Sequence, residues 1–172
     1  DAIQFDYIRY HSKTKAGLEN THDVQTILLW YQNKLATYHM PLQIVVFGIT
    51  SFKASHSIGQ DIKRFAPIVD VLCPTLYPSH FEPYRIHAQN PYQIISKALA
   101  SIHKRIPLQT KPLLIPYIEV TNYRYTHTKR ETITYIKKQI QAIEDGHTNG
   151  WYFWSASSRY ALLFEALDEL HA

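Results

Sequence analysis

Five apolar runs of strand length alternate with five amphipathic runs of helix length along the chain, and this alternation limits the possible folds more than any other feature of the sequence. Strands that neighbour each other in parallel need a long crossover, usually a helix, so a repeated β-α pattern implies a mainly parallel sheet. Strands are expected at residues 3–8, 43–49, 71–76, 113–118 and 151–154. Helices are expected at about 23–38, 60–65, 90–104, 129–145 and 160–170. Val24, Ile27, Leu28, Tyr31 and Leu35 recur at helical spacing, as do Ile133, Ile136, Ile140 and Ile143. Ser57 is a plausible cap for the short second helix. Asn90 followed by Pro91 is a helix start, and Gly146 suits a helix end. Pro74 inside the third strand suggests a bulge or an early end. A polar linker with Ser12, Lys13, Thr14, Lys15 and Gly17 separates the first strand from its helix.

The pattern does not decide between an open sheet and a barrel. The first strand begins at the third residue, and a half barrel leaves two long sheet edges and an open core. Either this is the C-terminal part of a (β/α)8 TIM barrel completed by a missing N-terminal half, or a partner chain completes it, or the sheet is open; the missing half is the favoured expectation. All 172 residues read as one domain, with 45% apolar and 19% charged residues.

The net charge is +4, but the cations are scattered rather than blocked, so nucleic acid is not an expected partner. Cys73 is the only cysteine, which excludes an intrachain disulfide. No apolar stretch approaches the roughly 20 residues of a membrane helix. The ten His are dispersed, and no HExxH, GxSxG, GxGxxG or P-loop pattern occurs. No cofactor or metal is expected on these grounds. The 13% aromatic content, with 13 Tyr and 3 Trp, supplies flat apolar faces with polar edges that suit sugar rings or protein interfaces.

Catalytic groups of (β/α)8 barrels lie at the C-terminal ends of the strands. That rule selects Asp6 and Arg9, Ser51, Tyr77 and His80, Tyr117 and Glu119, and Trp154 and Ser155. Asp6 sits between Phe5 and Tyr7, where a carboxylate costs several kcal/mol of desolvation unless it is paired. Its expected roles are a catalytic carboxylate or a strand-end ion pair with Arg9. Glu119 is a candidate second carboxyl, and otherwise a solvated loop acid or a hydrogen-bond acceptor for a ligand. Two carboxyls about 5 Å apart would give retention of configuration, and about 6.5–9.5 Å inversion. Arg9, Tyr77, His80, Tyr117 and Trp154 are the expected substrate-binding residues, and Arg9, if it points inward, would also keep Asp6 ionised. His80 is otherwise a turn histidine, and Trp154 a core residue.

Four segments carry a family resemblance: IQFDYIRY at residues 3–10, SIGQDIKRFAPIVDVLCPTLYPSHF at 57–81, LLIPYIEV at 113–120, and GWYFWSASSRY at 150–160. In order and spacing they resemble the glycoside hydrolase domain of bacterial proteins once classed as a domain of unknown function. The resemblance implies an amylase-like (β/α)8 barrel in which residues 3–8 form the fourth strand and the remaining strands are five to eight. It implies Asp6 as nucleophile, because amylase-like barrels carry an Asp at the end of strand four. Three departures stand out. Tyr10–His11 replaces the family's usual Phe-Pro, and Tyr117, Ile118 and Glu119 replace Trp-Leu-Gln at the seventh strand end. An acid at the end of strand five is missing, since Ile49, Thr50 and Ser51 stand there. The implied activity is hydrolysis of a polysaccharide, such as one of the cell envelope. The alternatives are a non-catalytic carbohydrate-binding or scaffolding barrel, and a metal-dependent polysaccharide deacetylase.

Overall fold

A computed structural model describes residues 2–11, 13, 15–110 and 112–172; Ser12 and Thr14 of the expected linker lie outside them. Six strands form one parallel sheet: β1 (Ile3–Phe5), β2 (Leu42–Phe47), β3 (Val71–Thr75), β4 (Leu113–Leu114), β5 (Tyr117–Glu119) and β6 (Tyr152–Trp154). The helices are α1 (Leu18–Ala36), α2 (Ile62–Phe65), α3 (Tyr84–Gln89), α4 (Pro91–Arg105), α5 (Lys129–Asp145) and α6 (Ala161–His171).

The spatial order is β1-β2-β3-β5-β6, with β4 also on β3, so neighbours in space are neighbours in sequence. A doubly wound open sheet would reverse its order partway. Right-handed crossovers that never reverse place all helices on one face, and the sheet then curls around its other face.

The two faces differ as this requires. Ile44, Val46, Leu72 and Ile118 point toward the helices and are fully buried with Leu28, Phe65, Ile95, Leu99 and Ile136. The opposite face holds a smaller group, Val45, Val71 and Cys73, against partly buried Ile115, Tyr117 and Tyr152. Polar side chains tie this concave face together. The Tyr117 hydroxyl on β5 donates to Gln4 Oε1 on β1 at 2.8 Å. Gln4 Nε2 donates to Gln43 Oε1 on β2 at 3.2 Å, and the Tyr152 hydroxyl on β6 reaches the same Gln43 oxygen at 3.5 Å. Neighbouring strands lie about 4.8 Å apart, so β1 and β5 would be about 14 Å apart on a flat sheet. Side chains standing off a sheet meet over that span only if it is strongly curved. The sheet is thus an open, curled arc, consistent with an incomplete (β/α)-barrel-like fold, and β1 and β6 do not pair with each other. Tyr117→Phe removes this cross-arc bond and is expected to lower stability by about 1 kcal/mol, measured by urea unfolding.

The fourth expected strand is split in two. Pairing of β3 with β4 ends at Leu72–Leu114, and pairing with β5 resumes at Thr75–Tyr117. Pro74 and Pro116 lie in the gap, and neither has an N–H for the ladder. Pro74 therefore stays inside β3 without ending it, in register with Val46 of β2. The first strand is shorter than expected because Tyr7 adopts a left-handed φ of 55°, which turns the chain out of the sheet. The second ends at Phe47, where Gly48–Ser51 winds into a 3-10 turn.

The start of α1 lies earlier than the apolar spacing suggests. α2 is capped by Asp61, which accepts from the Lys63 amide, rather than by Ser57. α3 was not expected. α5 has the expected bounds and opens with a Thr128–Glu131 capping box. Among the described residues no helix is long and apolar enough to cross a membrane.

Candidate active site

Every strand of a singly wound parallel sheet ends on the same side, so the strand-end loops converge there. They enclose a cleft of about 460 Å3, within the range of small-molecule sites. Asp6, Tyr77, His80, Tyr117 and Trp154 all line it, so five of the nine residues selected by the strand-end rule are brought together. Gly48 makes part of the wall. A Cβ there would sit 2.4 Å from the Thr75 carbonyl oxygen, so glycine permits the close approach of the β2 and β3 ends.

Asp6 follows β1 and is exposed at the cleft, where its Oδ1 accepts the Tyr7 amide at 2.9 Å. Two expectations are corrected here. Asp6 is not a desolvated strand residue, because the strand has already ended at Phe5. Nor does Arg9 pair with it. Arg9 Nη1 donates to the Tyr10 carbonyl at 3.0 Å, and its guanidinium lies over the rings of Tyr7 and Phe47, 5.1 and 5.2 Å from their centroids. Arg9 does not line the cleft; it backs two aromatic side chains that do.

Tyr77 and His80 flank the 3-10 turn Pro78–His80, which follows β3. Their rings are 5.4 Å apart, and His80 stacks on Tyr123 at 5.6 Å with an interplanar angle of 9°. Burial, helped by the Arg124 charge, holds the His80 imidazole below its ordinary range, so at neutral pH it is uncharged. Burial first, and then the Glu119 charge, pushes the Tyr77 hydroxyl well above its ordinary range, so it remains a donor. Trp154 is 47% exposed and presents an open ring at the cleft, while Trp151 packs on the helix side, as their alternation implies.

Glu119 lies elsewhere. It is fully buried, does not line the cleft, and spends both oxygens on internal donors. Oε1 accepts from the Ser79 amide at 2.9 Å and the Tyr135 hydroxyl at 2.6 Å; Oε2 accepts from the Ser79 hydroxyl at 2.8 Å. Burial outweighs these three bonds and pushes the carboxyl up to about 7. Ser51 and Ser155 are also buried and do not line the cleft.

Tyr7, Phe47 and Phe81 line the cleft without having been selected from sequence. Period-two alternation puts Phe47 on one face with Gln43 and Val45, and the strand ends at Phe47 rather than at residue 49 because Gly48–Ser51 winds into a 3-10 turn. Tyr7 is aimed by its positive φ, which no local signal announces. Among the described residues, no three His, Cys, Asp or Glu side chains are grouped as a metal ion would need.

A family model described as "Putative glycosyl hydrolase domain" matches residues 1–160. No curated protein matches the chain. Two solved structures of bee venom hyaluronidase are similar to parts of it. One, in complex with a hyaluronic acid tetramer, is 12% identical with a TM-score of 0.40; the other, a monoclinic crystal form, is 15% identical with a TM-score of 0.35. Each comparison covers 64% of this chain and 34% of the hyaluronidase chain, so the similarity spans about a third of those proteins.

Proposed function

This chain belongs to the Putative glycosyl hydrolase domain family, and from that premise we propose that its strand-end cleft binds a polysaccharide and that Asp6 takes part in cleaving it. The observation carrying this reading is the convergence of one exposed carboxylate with several aromatic side chains in a single cleft at the carboxyl ends of parallel strands. Aromatic faces pack against the C–H faces of sugar rings, and the polar edges of Tyr77 and His80 meet hydroxyls. Asp6 acts as nucleophile or as the base that activates water. Tyr77, with its proton retained, donates to the sugar, and neutral His80 can donate or accept. Arg9 supports Tyr7 and Phe47 from behind.

Glycoside hydrolysis uses two carboxyls, and Asp6 is the only acid among the described residues lining the cleft. The proton donor on this reading comes from outside that lining. The free edge of β1, with exposed Ile3 on the strand itself and exposed Ile27 and Trp30 on α1, is a surface on which further β/α units would complete a barrel and bring that donor. The arc then corresponds to strands four to eight.

The single carboxylate also favours a second reading, a carbohydrate-binding or scaffolding barrel without turnover. A panel of soluble polysaccharides, assayed for new reducing ends and for quenching of tryptophan fluorescence, separates the two. Release of reducing ends supports the hydrolase; binding without release supports the binding barrel; neither response rejects both. Trp154→Ala is expected to weaken binding of a responding polysaccharide about tenfold, read by titration calorimetry.

A further inference from the structure

Glu119 is the most completely buried acid of the described chain, and nothing in the cleft chemistry uses it directly. Its surroundings assign it a different task. Gln139, fully buried on α5, grips the Glu119 backbone at both ends of the residue. Its Oε1 accepts the Glu119 amide at 3.1 Å, and its Nε2 donates to the Glu119 carbonyl at 2.9 Å. Glu119 is thereby fixed to α5 through two backbone bonds, and its carboxyl is fixed again by the Tyr135 hydroxyl one helical turn earlier. The carboxyl's other two accepted bonds come from a single residue, Ser79, through both its amide and its hydroxyl.

Ser79 is itself fully buried and sits in the turn between Tyr77 and His80, the two polar aromatic groups of the cleft. Its carbonyl accepts from Arg124 Nε at 3.3 Å, and the Arg124 guanidinium lies 4.1 Å from the centroid of the Tyr84 ring. A single short residue is therefore held at its amide, hydroxyl and carbonyl, while its neighbours project into the cleft. A buried carboxyl costs several kcal/mol unless every oxygen is satisfied. Here the donors that satisfy it are those of the turn that must be held.

We propose that Glu119 is a positioning residue, which through Ser79 fixes the turn that presents Tyr77 and His80 to the ligand. Its oxygens do not reach the cleft, so its effect on any ligand passes through those two side chains. The consequence for turnover rests on the glycosidase reading; the anchoring does not.

The test uses the full chain carrying this domain and three variants. Glu119→Gln keeps an oxygen for the Ser79 amide and the Tyr135 hydroxyl, and its amide nitrogen can donate to the Ser79 hydroxyl oxygen. Glu119→Leu loses all three bonds, and Ser79→Ala loses only the hydroxyl bond. Amide hydrogen exchange is compared between the turn at residues 77–81 and α5 in the same molecule. In Glu119→Leu the turn is expected to exchange roughly tenfold or more faster relative to α5, in Ser79→Ala roughly three- to tenfold faster, and in Glu119→Gln near the unmodified rate. Ser79→Ala keeps the test decisive if Glu119→Leu does not fold. On a polysaccharide that the unmodified chain cleaves, KM is expected to rise more than kcat falls in Ser79→Ala, with Glu119→Gln close to the unmodified protein.

The proposal is overturned if turn and α5 exchange rise together, if the turn does not respond, or if Glu119→Gln fails to restore what Glu119→Leu loses. If exchange behaves as expected but no polysaccharide is bound or cleaved, the glycosidase reading fails and the anchoring stands.

Discussion

Asp6→Asn is expected to lower turnover on a cleavable polysaccharide by roughly a hundred- to ten-thousandfold with no change in the unfolding midpoint. The asymmetry follows from where the side chain sits. Asp6 is exposed, and among the described residues its hydrogen bond is the one it accepts from the Tyr7 amide, which an asparagine oxygen can also accept. Arg9, the nearest cation in sequence, does not pair with its charge, being committed to the Tyr10 carbonyl and to two aromatic rings. The substitution keeps shape and local hydrogen bonding and removes the capacity to attack a sugar carbon or take a proton from water. The loss should fall on kcat, with KM little changed, since the removed interaction belongs to the transition state. Equal loss of kcat and stability would place Asp6 among structural residues instead. Steady-state kinetics beside thermal unfolding of the same preparations separates these outcomes.

The second large effect is on stability and concerns Glu119. Burial pushes its carboxyl from 4.5 up to about 7 despite three hydrogen bonds. Below about pH 4.5 the folded and unfolded chains both hold the proton, and Glu119 adds no pH dependence. Between 4.5 and 7 the unfolded chain has released its proton while the folded chain still holds it. The unfolded state then binds fewer protons, so the stability of the fold falls as pH rises through this window. Above 7 both are ionised and the fall is complete. The total is about 3 kcal/mol. His80 and His87 are both held below their ordinary range mainly by burial and add a rise of opposite sign nearby. The comparison is therefore between the unmodified chain and Glu119→Gln, which shares the histidines and lacks the titrating carboxyl. Urea unfolding at several pH values should show Glu119→Gln gaining about 3 kcal/mol relative to the unmodified chain from pH 4.5 to 8. A difference constant with pH would mean that the carboxyl is not desolvated as its surroundings imply.

Much of the architecture was legible because it rests on periodicity. The nearly unbroken apolar run at β2 requires burial on both faces, and that strand lies within the arc with helices on one side and the concave layer on the other. α5 announced itself by an isoleucine stripe that is wholly buried. The strand-end rule likewise found Asp6, Tyr77, His80, Tyr117 and Trp154, since it needs only the approximate end of each strand. What was not legible depends on contacts between distant residues or on single backbone angles. The bond from Tyr117 to Gln4 spans 113 positions, and it, rather than any local pattern, reveals the curvature of the sheet. The positive φ of Tyr7 ends β1 early and moves Asp6 from an apolar strand into water. Glu119 lies at a strand end as expected, yet faces Ser79 and Tyr135 instead of the cleft, because the turn after β3 closes over it. The sequence position of an acid gives its strand and level; which loop covers it is decided by packing.

A crystal structure of Asp6→Asn with an oligosaccharide cut from a polysaccharide that binds the unmodified chain tests whether the strand-end cleft holds the sugar. It is expected to show a sugar ring against Trp154, hydroxyls bonded to Tyr77 or His80, and an anomeric carbon within reach of residue 6. Sugar bound away from the strand ends, or bound there with residue 6 facing away from the anomeric carbon, would contradict that expectation.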